Sequence, residues 1–194
     1  MNPPSFINIT GIDGSGKTTT VNLLADQLRS ENIKTRYVWI KSLHTLAFYI
    51  SQIFVSQGWY RLVKNPNGAT ISRFELPTSN YAKEMWQLIE FISVLPWILV
   101  KVNLSLLFGY TVVADRYVID TIVSVSLRTR NPNFVDSFLG KLLLKMMPSD
   151  AMIIYLDVDL QTLLNRRPDI EYTLDELQSQ IDLYRSVSYT HLTL

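Results

Sequence analysis

The chain has 194 residues, 47% hydrophobic and 18% charged, with a net charge of +1 and no cysteine. This length suits one domain that buries roughly 70% of its unfolded surface. The near-neutral balance excludes a strongly basic nucleic-acid surface. The lack of cysteine excludes disulfides and thiolate metal sites and fits a reducing, cytoplasmic compartment.

The opening "MNPPSFINIT" has no basic stretch followed by an apolar run, so a signal peptide is not expected. "FINIT" (Phe6–Thr10) reads as a buried strand that stops at Gly11. From Lys17, Val21, Leu24, Ala25 and Leu28 recur at helical spacing, which predicts a helix to about Ser30. Lys34–Ile40 reads as a second strand and Leu43–Phe54 as a helix in which His44 is packed or capping. Lys64–Thr70 and Leu76–Asn80 are turn-rich and predict a loop region. A long helix covers Tyr81–Phe108, bent at Pro96. Its segment Leu88–Tyr110 is apolar enough to raise a membrane span. Pro96, Lys101, Asn103 and Ser105 interrupt it, so the expectation is a buried core helix without membrane contact.

Thr111–Asp115 reads as a third buried strand, followed by helices over Ile119–Leu127 and Val135–Met146. Ala151–Val158 reads as a fourth strand, with helices over Leu160–Arg166 and Leu174–Tyr184. Strands alternating with helices predict a three-layer α/β fold around a parallel sheet. Trp39, Trp59, Trp86 and Trp97 read as core or groove residues. Asn8-Ile9-Thr10 matches a glycosylation pattern but lies within the first strand, so no modification is expected there.

The functional signal is "GIDGSGKTTT", residues 11–20. Gly11, Gly16, Lys17 and Thr18 satisfy G-x-x-x-x-G-K-[ST] between a strand and a helix. Glycines let successive N–H groups turn toward phosphate oxygens. The helix N-terminus adds about half a positive charge. Lys17 can reach the outer phosphates, and Thr18 can give its hydroxyl to Mg²⁺. Gly14, Ser15 and Thr19 complete the expected ATP cradle. Asp115 ends a buried strand and is a second candidate for the Mg²⁺ site. Arg116, next to it, suits a second phosphate group better than activation of water. The motifs of switch GTPases, and the Asp-Glu ending of motor ATPases, are missing. Arg166 and Arg167 stand in "NRRPDIE", which reads as a lid that neutralises charge on a transferring phosphoryl group.

With "GIDGSGKTTT", "GYTVVADRY", "IIYLDV" and an arginine-bearing lid, the chain resembles the thymidylate kinase family over residues 6 to about 186. The resemblance implies a P-loop NTPase fold with sheet order 2-3-1-4-5. It implies transfer from Mg²⁺-ATP to a nucleoside monophosphate, with dTMP as the default acceptor. It implies that Asp13 touches the acceptor sugar and that Arg116 binds the acceptor phosphate, with Lys41, Arg73 and Tyr117 as further acceptor-side candidates. A homodimer is left open. The acceptor half departs from the family. "WIKS" replaces the family's Arg-Glu-Pro. Asp120 and Thr121 replace serines after Asp-Arg-Tyr, and Val125 replaces a glutamine. Val94 lies near the place of an arginine that reads the base. Arg73, Phe74 and Glu75 read equally as a surface turn. Alternatives are therefore a kinase with a non-nucleotide acceptor and a nucleotide-binding module without transfer.

"VSYTHLTL" (Val187–Leu194) departs from the helical pattern before it. It reads as the translation of a transposon-end adapter, GTC TCT TAT ACA CAT CTG ACG CTG. The expectation is a domain over 1–186, a non-native tail over 187–194, and a fifth strand missing from the sheet.

Overall fold

The computed structural model describes residues 4–42, 45–64, 68, 70–167 and 172–191. Leu43 and His44, most of the Asn65–Ala69 turn, and Pro168–Glu171 of the expected lid lie outside the described residues.

Strand β1 (Phe6–Thr10) is buried on both faces, as its unbroken run of large and β-branched residues requires. Its neighbours are β5 (Thr111–Asp115) on one side and β6 (Met152–Tyr155) on the other. Strand β2 (Thr35–Trp39) pairs outside β5, so the four parallel strands lie in the order β2-β5-β1-β6. Counted by the four expected strands, this is 2-3-1-4, as the resemblance implies. Among the described residues no fifth strand extends the sheet beyond β6.

Each sheet face has its own cover. Ile7, Ile9 and Val113 pack on Val21 and Leu28 of helix α1 (Lys17–Ser30). The opposite face carries Phe6, Val112 and Ala114. It is covered by α3 (Asn80–Trp97), α5 (Val118–Thr129), α6 (Phe138–Lys145) and α8 (Leu174–His191). The result is the predicted three-layer α/β architecture.

Helix α3 starts at Ser79, whose side chain accepts from Ala82 N–H at 3.3 Å. After Pro96 the rod continues as a π-helical stretch, Ile98–Asn103, and then α4 (Leu104–Leu107). Proline lacks the N–H that an α-helix needs, and the wider i→i+5 turns follow directly. The rod from Asn80 to Leu107 is long and apolar enough to cross a membrane by length and composition. It buries Trp86, Phe91, Val94, Ile98 and Val102, while Tyr81, Met85, Leu88, Ile92 and Leu107 are exposed.

Three expectations change. The turn-rich Lys64–Thr70, predicted as part of a loop region with Leu76–Asn80, joins two strands of a hairpin, with β3 (Tyr60–Lys64) antiparallel to β4 (Thr70–Phe74). The turn residues were legible, but the strands flanking them are short and β3 is exposed at all but Val63, so alternation was weak. The hairpin packs through Phe74, which meets Trp86 at 4.8 Å between ring centroids. Phe54 of α2 (Thr45–Ser56) stacks on Trp59 at 4.4 Å in the same cluster. Secondly, α8 does not end at Tyr184 but runs to His191, with Val187 buried in the core. Thirdly, Val94 faces the core and not a ligand cleft.

Helix α8 docks on α5 through Leu177 and Ile181, which are 0% and 2% exposed. Leu177→Ala is expected to cost about 2–5 kcal/mol of stability, read by urea unfolding, because the site lies too deep to collapse freely.

Candidate active site

The phosphate loop leaves β1 at Gly11 and enters α1 at Lys17. Gly14 has φ +93°, and a Cβ there would lie 2.8 Å from Leu163 Cδ1 and 3.0 Å from Arg167 Cγ. Only glycine satisfies both the backbone and the space against α7 (Leu160–Arg166). Gly16, at φ +98°, caps α1 without a side chain, and the first turn carries no acidic residue. The first-turn N–H groups and the positive end of the helix dipole are thus left to an incoming anion.

Lys17 is 4% exposed, and its Nζ donates to the carbonyl of Ile12 at 2.6 Å. Burial pushes its ammonium pKa down, while Asp120 and Asp115 act to hold it up. Thr18 Oγ1 donates to Asp115 Oδ2 at 2.7 Å, and the Tyr37 hydroxyl reaches the same oxygen at 3.4 Å. Asp115 Oδ1 is buried without a hydrogen-bond partner among the described residues. A hydroxyl beside an unsaturated carboxylate is a donor set that suits a hard divalent cation. Ser15 is buried within the loop, whereas Thr18 and Thr19 lie open to the cleft.

Arg116 follows β5 in a left-handed conformation, φ +73°. That conformation costs roughly 1–2 kcal/mol for a residue with a Cβ. The guanidinium pairs forward with Asp13 of the phosphate loop and backward with Asp120 Oδ1 at 3.3 Å. Asp13 also lies 3.9 Å from Lys17 Nζ and 4.0 Å from Lys41 Nζ.

Two clefts meet at these residues. The first, about 410 Å³, is lined by the phosphate loop, Trp39, Asp115, Arg166 and Arg167. The second, about 560 Å³, is roofed by the hairpin and includes Arg73, Phe74, Arg128, Tyr172 and Tyr184. Asp13, Lys41 and Arg116 line both.

Most predicted site residues therefore converge, including the two lid arginines at the end of α7. Tyr117 does not. Its ring is fully buried 4.8 Å from Phe6, and its hydroxyl donates to the carbonyl of Met146 at 3.0 Å. Proximity to Asp115 and Arg116 in sequence suggested the cleft. The turn after β5 instead points Tyr117 into the core, where desolvation pushes its phenol pKa well up.

The sequence analysis missed Arg61, Arg128, Arg130, Glu176 and Tyr184. Arg73 Nη1 pairs with Glu176 Oε2 at 2.6 Å and its guanidinium lies 4.6 Å from the Tyr172 ring centroid. Arg61 lies 3.6 Å from both Glu75 and Glu176, and Arg130 also pairs with Glu75. Burial acts to raise the Glu176 carboxyl pKa, but hydrogen bonds from Arg73 and Thr173 outweigh it and hold the group below its ordinary range. Arg128 reaches from α5 to within 3.6 Å of the buried Glu90 on α3. Arg128 and Arg130 read in sequence as an ordinary basic helix end. Only folding brings them opposite the hairpin.

The fold and the loop together define a three-layer α/β protein with a glycine-rich G-x-x-x-x-G-K-T loop between its first strand and first helix. The structure is similar to that of thymidylate kinase from Ehrlichia chaffeensis. The TM-score is 0.58 at 18% identity, over 98% of this chain and 85% of that chain. No family model and no curated protein matches the chain.

Gly14→Ala is expected to cost about 1–3 kcal/mol in thermal unfolding, since the loop must leave its left-handed turn or displace the Leu163 and Arg167 side chains. Tyr117→Phe is expected to cost about 1 kcal/mol in thermal unfolding, with ligand affinities unchanged, because its hydroxyl serves the core alone.

Proposed function

We propose that this protein is a nucleoside monophosphate kinase acting on Mg²⁺-ATP, with dTMP as the default acceptor. The observation that carries this reading is the pair of clefts joined at Asp13, Lys41 and Arg116. A nucleotide hydrolase or switch needs only the first cleft. A transferase needs both, with cations at the junction where charge develops.

An acceptor phosphate oxygen would attack the γ-phosphorus of ATP, the bond to the β-phosphate oxygen would break, and ADP would leave. Lys17 and the loop N–H groups would hold the donor phosphates. Arg116 would hold the acceptor phosphate, and Arg166 and Arg167 at the end of α7 would neutralise the transferring group. Thr18 and Asp115 fit Mg²⁺, which when bound neutralises charge on the β- and γ-phosphates. Asp13 would serve the acceptor, with Lys41 and Arg73 further along its cleft. A cytoplasmic setting belongs to this reading.

A second reading is a kinase with a different phosphorylated acceptor. It is favoured by the arginines at the far end of the second cleft, Arg61, Arg73, Arg128 and Arg130. One experiment tests both: ADP release from Mg²⁺-ATP across a panel of nucleoside monophosphates, with Lys17→Ala as control. The expected result is release that requires one monophosphate and falls at least a hundredfold in the variant, the loss of a phosphate-neutralising group being worth several kcal/mol. Release without any acceptor, or equal release from the variant, would overturn the kinase reading. ATP binding with no release on the whole panel would favour the second reading.

A further inference from the structure

Asp120 stands where the resemblance expects serine, and it is 1% exposed. Four donors converge on its carboxylate. Oδ2 accepts from Thr10 Oγ1 at 2.8 Å and from the Tyr117 N–H at 3.2 Å. Oδ1 accepts from the Tyr184 hydroxyl at 2.8 Å and from Arg116 Nη1 at 3.3 Å. Both oxygens of this buried carboxylate are thereby satisfied. Its two oxygens divide their partners. One ties the start of α5 to β1, and the other faces the cleft junction.

Arg116 is consequently held from two sides by carboxylates of different character. Asp13, in front, is 33% exposed on the loop and can turn away when a phosphate arrives. Asp120, behind, is locked by β1, the chain at Tyr117 and α8, so it cannot follow. Desolvation, then the Asp120 charge, pushes the Tyr184 phenol pKa well above its ordinary value, so its hydroxyl remains a donor at neutral pH. A guanidinium on a left-handed residue has no regular backbone to orient it. A fixed carboxylate behind it supplies that orientation.

We propose that Asp120, together with the Tyr184 hydroxyl, is the positioning residue that aims Arg116 at the acceptor phosphate. The identity of the ligand rests on the kinase reading above, whereas the restraint on the guanidinium does not. The test uses Asp120→Asn, which keeps the shape and removes the charge, and Tyr184→Phe, which keeps the carboxylate and removes one of its donors. Rotation about the Arg116 Cζ–Nη bonds, followed by ¹⁵N NMR with Arg116→Lys identifying the signals, reads the restraint directly. Slow rotation in the unaltered chain should become fast in Asp120→Asn and intermediate in Tyr184→Phe. Calorimetry with dTMP and, separately, Mg²⁺-ATP reads the consequence. The dTMP affinity should fall about tenfold or more in Asp120→Asn and about threefold in Tyr184→Phe, with Mg²⁺-ATP binding changed less than twofold in Tyr184→Phe, which leaves the Asp120 charge near Lys17 in place.

Unchanged rotation in the variants, or equal losses for both ligands in Tyr184→Phe, would overturn the proposal and leave Asp120 a purely structural group. If Asp120→Asn does not fold, Tyr184→Phe decides by the same two criteria. If the unaltered chain does not bind dTMP, the choice of acceptor has failed while the NMR result still decides the positioning role.

Discussion

The site depends on the pairing of two parallel strands. Ile9 of β1 sits in register with Asp115 of β5, and the Arg116 N–H donates to the carbonyl of Ile9 at 3.2 Å. That register sets the start of the phosphate loop beside the Asp115–Arg116 pair, residues separated by about a hundred positions in the chain. Thr18 can then reach Asp115, and Asp13 can reach Arg116. Slipping the strands by one residue would turn Asp115 to the other sheet face and break both contacts. Ligand sites at the carboxyl ends of parallel strands are a general property of open α/β sheets. Here the buried faces of β1 and β5 enforce it, because both strands are buried along their whole length.

Charge in the two clefts is arranged in layers. Arginines over the second cleft are matched by Glu75 and Glu176, which are partly exposed, and by Glu90, which is buried. Pairs at the exposed end are worth little individually in water. They orient the hairpin without locking it, so a ligand can exchange partners there at small cost. The pairs behind Arg116 differ. Asp120 is inaccessible and its partners come from three separate elements, so this part of the network is rigid. The clefts therefore combine a partly exposed, charge-paired roof with a buried floor.

The long rod through α3 and α4 links this chemistry to the core. Its inner face carries Glu90, against which Arg128 lies and to which Ser42 donates at 3.0 Å. A turn away, Ser93 accepts from the Ala47 N–H at 2.9 Å, joining the rod to α2. Polar groups on an otherwise apolar helix thus serve particular partners. They tie the inner face of the rod to α2 and α5, while its outer face, with Leu88, Ile92 and Leu107, stays exposed.

The sequence by itself determined the four sheet strands, the phosphate loop, and the Asp115–Arg116 pair at a strand end, whereas the order in which the strands pair was implied by the resemblance alone. Those features are written in local periodicity and in short motifs whose spacing has one physical use. Tertiary structure alone decided that Tyr117 faces the core, that residues 60–74 form a hairpin over the second cleft, and that Arg128 comes to Glu90. It also decided that Asp120 and Tyr184, 64 positions apart, meet behind Arg116. A side chain's neighbours across the fold depend on strand register and helix docking, which arise from burial summed over the whole core. No window of residues contains that sum, so the glycine-rich loop was legible, while the groups packed behind Arg116 became visible only once the chain was folded.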